Sequence, residues 1–74
     1  MEEISEIIKK GDEYMKNEQY LEALSCFEQA IILNPNDPDL WNSKASALRS
    51  MGRYEEAIEC FNKSLEIDPR DKHS

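Results

Sequence analysis

One histidine, two cysteines and two glycines are a thin supply of reactive and loop-forming groups for 74 residues. The histidine is His73, in a polar tail. A Ser-His-Asp triad or a Cys-His dyad needs its imidazole held rigidly beside a nucleophile, so catalysis of that kind is not expected. Cys26 and Cys60 stand 34 residues apart with no neighbouring ligand pair, which fits two small packing residues and not a zinc site. Gly11 and Gly52 do not form a glycine-rich phosphate loop. No cofactor or metal is implied. No apolar run approaches the roughly 20 residues that span a bilayer, so no membrane association is expected. The start, Met1-Glu2-Glu3-Ile4, lacks the basic and apolar regions of a secretory signal, and two cysteines are few for a small disulfide-framed domain. Together these absences place the chain in a reducing, cytoplasmic compartment.

Bases are also scarce. Nine lysines and arginines face sixteen acids, for a net charge of −7. Such a surface repels a phosphate backbone, so nucleic acid is not an expected partner. The imbalance sits in the first half: net −6 over residues 1–37 and −1 over residues 38–74. That half either favours a basic partner or is a solvated face that keeps the protein in solution. Length allows one domain with a small core and no deep, dry cavity.

What is abundant is periodic apolar spacing. Shifted by 34 residues the chain matches itself: Lys10 with Lys44, Tyr20 with Tyr54, Glu22-Ala23 with Glu56-Ala57, Cys26-Phe27 with Cys60-Phe61, and Pro35 with Pro69. A period of this size indicates stacked supersecondary units. Each unit reads as two helices. Ile4, Ile7, Ile8, Tyr14 and Met15 stripe the first, and Tyr20, Ala23, Leu24, Phe27, Ala30 and Ile31 the second, with a turn at Asn17-Glu18-Gln19. Asn34 precedes a proline and should end that helix. Asp37 can cap the third helix, with Pro38 at its first position and Asp39 near its positive end. Leu40, Trp41, Lys44, Ala45 and Leu48 run on to Gly52, which can close the helix in the left-handed conformation. Tyr54, Ala57, Ile58, Phe61 and Leu65 stripe the fourth, which Asp68-Pro69 ends. Small residues such as Ala23, Ala30, Ala57 and Ser64 allow close helix approach, and the six aromatics fill the remaining core volume. The oxygen-rich loop Asn34–Asp39 is turn and cap, since it lacks the glycine and terminal glutamate of a calcium loop. Glu55, Glu56 and Glu59 read as a solvated helix face.

These residues resemble the tetratricopeptide repeat, a 34-residue helix-turn-helix unit. The second unit supplies Trp41, Ala45, Leu48, Gly52, Tyr54, Ala57, Phe61, Ser64 and Pro69, and the first Ile7, Gly11, Tyr14, Tyr20, Ala23, Phe27, Ala30 and Pro35. The fold so implied is all-α: one domain over residues 1–74, with repeats at 4–37 and 38–71 and a frayed tail at 72–74. Two antiparallel hairpins would stack as a short solenoid. In the first unit, Ile7 replaces the early aromatic and Glu18 the glycine that usually closes the first helix; Lys10 and Lys44 stand where an apolar residue is common. Their stems can still cover the core.

The resemblance implies a protein-interaction module whose first helices line a concave groove for a peptide or partner protein. The carried-over groove positions are Ser5, Ile8, Asp12, Met15 and Lys16, then Asp39, Asn42, Ser46, Arg49 and Ser50. The clamp by which several family members hold acidic chaperone tails is not expected. Ile8 and Asp12 stand where its first lysine and asparagine belong, Ser43 replaces its second asparagine, and no third repeat follows. Asp12 would repel a terminal carboxylate. The groove is instead mixed: Asn42 suits a peptide backbone, Arg49 a carboxylate, Ile8 and Met15 apolar contact. The same positions also fit ordinary solvated helix surface. A different function is open too. Arrays of this kind need neighbours and polar caps. The stripe around Ile58, Phe61 and Leu65 should lack a covering helix, which would favour self-association into a homo-oligomer.

Overall fold

The computed structural model describes residues 3–69. The polar tail after Pro69, with His73, lies outside them, as does the end of the second expected repeat. Four helices follow one another: α1 (Glu3–Lys16), α2 (Tyr20–Leu33), α3 (Pro38–Ser50) and α4 (Tyr54–Ile67). No strand occurs among the described residues. Each helix packs on the next in sequence, so two helical hairpins stack through α2 and α3.

The two hairpin turns are built alike. The Gln19 N–H donates to the Tyr14 carbonyl at 2.8 Å, and 34 residues later the Arg53 N–H donates to Leu48 at 2.9 Å. This six-to-one closure satisfies carbonyls left open at a helix end and requires a left-handed residue between. Gly52 fills that position in the second hairpin with φ +82°, and Glu18 in the first with φ +62°. A side chain in that region costs roughly 1–2 kcal/mol. The first turn therefore forms against its local preference, held by the packing of α1 on α2.

Between the hairpins, the Asp37 carboxylate accepts the Asp39 N–H at 3.0 Å with Pro38 at the first helical position. That cap contributes about 1 kcal/mol. The Trp41 indole N–H donates to the Pro35 carbonyl at 3.0 Å and fastens the connecting loop to α3.

The core has two parts. Ala30, Ile31 and Leu40 form one, with Ile7, Ile8 and Trp41 against it. Ala23, Leu24, Phe27, Ala45, Ala47, Leu48, Ala57 and Cys60 form the other, with Tyr14, Met15, Trp41, Met51 and Phe61 against it. Gly11 has a mechanical reason: a Cβ placed there would lie 2.6 Å from the Phe27 ring. Lys44 is mostly covered, as its stem position suggested, and its ammonium reaches Glu28 on α2 at 3.4 Å. One aromatic departs from expectation. Tyr54 does not fill the core but is 62% exposed. It sits at the start of the last helix, where no further helix is present to cover it.

Candidate functional site

The two core clusters also fix how α1 and α3 lie. Ile7 and Ile8, early in α1, share a cluster with Leu40 and Trp41, early in α3. Tyr14 and Met15, late in α1, share the other with Ala45 and Leu48, late in α3. The first helices of the two units are thus side by side and run in the same direction. Residues 5, 8, 12, 15 and 16 fall on one face of α1 by the 3.6-residue period, and residues 39, 42, 46, 49 and 50 on the same face of α3, 34 positions on.

Within this surface the side chains differ in availability. Asp12 and Lys16 of α1 and Arg49 of α3 are exposed, and Asn42 and Ser46 are half-buried. Ile8 and Met15 are half-buried because each also packs against a core cluster. They offer edges, not whole side chains. Arg49 has a neighbour that its sequence position did not announce: its guanidinium lies 5.9 Å from the centre of the Phe61 ring on α4. Such a contact is worth roughly 0.5–1 kcal/mol at an exposed site and holds the guanidinium over the ring.

A second group of contacts was not legible in the sequence. Trp41 carries two ammonium groups over its ring, Lys44 at 5.6 Å and Lys63 of α4 at 5.9 Å. Read as a core aromatic, it is in fact half-buried and ties α3, α4 and the inter-repeat loop together. The lysines gave no signal, because their alignment with the ring needs the packed α3–α4 pair.

On α4 the stripe splits. Ile58 and Leu65 are 56% and 47% exposed, whereas Phe61 is half-buried against the larger core cluster. The cysteines are both free, Cys60 buried and Cys26 half-buried. Burial pushes the Cys60 thiol up, opposed by the Lys44 charge and reinforced by Glu59, Glu56 and Glu28. It is a protonated packing group at neutral pH, with little thiolate for nucleophilic or metal chemistry. Among the described residues no group of three His, Cys, Asp or Glu side chains is arranged to hold a metal ion, and no helix is long and apolar enough to cross a membrane.

Comparison with known proteins agrees with this geometry. A family model described as tetratricopeptide repeat matches residues 13–74. An uncharacterized protein of Methanocaldococcus jannaschii is 49% identical over 47 residues, 64% of this chain and 55% of that protein. The small glutamine-rich tetratricopeptide repeat-containing protein beta of Homo sapiens is 38% identical over 45 residues, 61% of this chain and 15% of that protein. A TPR repeat-containing thioredoxin of Arabidopsis thaliana is 34% identical over 55 residues, 74% of this chain and 8% of that protein. The chain thus spans about half of the first of these relatives and a small part of the others.

Proposed function

Since the chain belongs to the tetratricopeptide repeat family, whose modules generally mediate protein–protein interactions, we propose that it binds an extended peptide segment of a partner protein across α1 and α3. The observation that carries this reading is the parallel, side-by-side placement of the two helices, which puts register-matched polar positions on one surface. Asn42 and Ser46 are half-buried there, so their hydrogen-bonding groups are held in few conformations before a ligand arrives. The Asn42 amide both donates and accepts, as a peptide backbone requires. Arg49, steadied over Phe61, presents forked donors to an acidic side chain or carboxylate. Ile8 and Met15 supply apolar edges on the α1 side, and Asp12 and Lys16 flank them with one charge of each sign.

The test is retention of a partner by the intact chain and by an Asn42→Ala/Arg49→Ala variant of equal helicity. Neither residue belongs to a core cluster, so the variant is expected to stay folded. A partner held through the groove should bind the variant about tenfold more weakly or worse, as loss of an interface anchor does. Equal retention would take both residues out of the site.

A further inference from the structure

The outer stripe of α4 is a second docking surface, separate from the groove, and the protein contains its own template for what fits. Leu24 and Ile31 of α2 stand 34 residues before Ile58 and Leu65 of α4. On α2 those two are buried, because α3 lies over them: Ile31 clusters with Leu40, and Leu24 with Ala47. Beside this apolar seam a charge pair crosses from helix to helix, Glu28 of α2 to Lys44 of α3. The α2 stripe therefore seats an amphipathic helix with small or apolar residues at positions 40 and 47 and a base between them. The α4 stripe repeats the apolar half, with Tyr54 in line, and lies open. Its helical period puts Glu55 and Glu59 along one edge, where α2 has Leu21 and Ser25. The acidic edge is stronger on α4 than on its covered counterpart.

A second copy meets this surface badly. Stacked head to tail, it would present α1, and the α1 residues equivalent to Leu40, Ser43 and Ala47 are Glu6, Lys9 and Glu13, all exposed. Burying those charges against Ile58 and Leu65 is unfavourable. Paired antiparallel through α4, two copies would set acidic edge against acidic edge. The chain's net charge of −7 opposes both.

We propose that α4 docks an amphipathic helix of a partner chain, with a small-and-apolar seam and a basic edge, in the manner in which α3 docks on α2. The seam supplies contact area, and the basic edge, lying along Glu55 and Glu59, sets orientation and selects the partner.

The probe is a synthetic peptide with the sequence of this chain from Asp37 to Met51, titrated into the isotopically labelled protein. A second peptide carries Lys44→Glu and Arg49→Glu. The first peptide should shift the amide resonances of Tyr54, Ile58 and Leu65. A Leu65→Ser protein, which loses a half-exposed side chain and stays folded, should bind it about fivefold more weakly. The charge-reversed peptide should bind more weakly still. Absence of α4 shifts at about 1 mM peptide, where a bare apolar contact would register, would overturn the proposal. So would shifts confined to α1 and α3, or equal binding of the two peptides. Sedimentation showing a dimer that Ile58→Glu dissolves would make a second copy the occupant and overturn it likewise. The groove reading is judged by the Asn42→Ala/Arg49→Ala protein, so either surface can fail alone.

Discussion

Leu24 and Ile58 hold the same position in successive repeats, as do Ile31 and Leu65, yet the first of each pair is 6% and 8% exposed and the second 56% and 47%. The helices that carry them have the same length, the same aromatic start and the same small residues facing their partners. What separates them is rank in the stack. α2 has a helix on each side, while α4 packs only on α3. In a solenoid an apolar position is a core position only if a next helix arrives to cover it. The lesson extends to the aromatics. Phe27 is sunk so deeply that the opposite helix must be glycine at residue 11, whereas half-buried Phe61 belongs to a repeat with Ala45 at the matching place.

The sharpest way to break this comparison is to truncate both members of one pair. Leu24→Ala should destabilise the fold by about 2–4 kcal/mol, the range for opening a cavity in a packed core. Ile58→Ala should cost less than about 1 kcal/mol, since half of that side chain is already in water. Urea unfolding followed by circular dichroism measures both, and equal losses would mean that α4 is covered in solution. The next effect in size is at the aromatic seat. Gly11→Ala gains helix propensity but drives a methyl into the Phe27 ring, for a net loss of about 1–2 kcal/mol. A thermal melt higher than that of the unaltered chain would show that Phe27 moves aside freely.

The smallest effect has opposite signs in the two hairpins. Gly52→Ala meets no neighbouring atom, so its whole cost is backbone strain, about 1 kcal/mol. Glu18→Gly relieves the same strain in the first turn and should stabilise by roughly half that, after the greater flexibility of glycine in the unfolded chain is counted. Paired denaturation curves decide it. A loss of stability in Glu18→Gly would mean that the glutamate side chain does something at the turn beyond occupying it.

Most helix limits were legible because they rest on local chemistry. Asn34 before Pro35 and Asp68 before Pro69 end α2 and α4, Asp37 caps α3, and Gly52 closes it. The turn at Asn17–Gln19 was legible only through its partner 34 residues on, since Glu18 is a poor left-handed residue by itself. The groove residues were placed on one face of each first helix by the period alone. Their availability was not, because burial of Ile8 and Met15 depends on neighbours from other segments. Exposure of Tyr54 was missed for the same reason. The pattern that buries Tyr20 halfway is present at residue 54 without the helix that would act on it.

The sequence by itself determined that this protein is a pair of helical hairpins of the tetratricopeptide type. Apolar period, proline and capping residues act within a few positions of one another, and their repetition after 34 residues reports the stacking unit. Tertiary structure alone decided which copy of each repeated residue is core and which is surface. It also set Arg49 over Phe61 and two lysines over Trp41. Burial and ring contacts are properties of the neighbouring helix, and a repeat cannot encode in its own residues whether it has one.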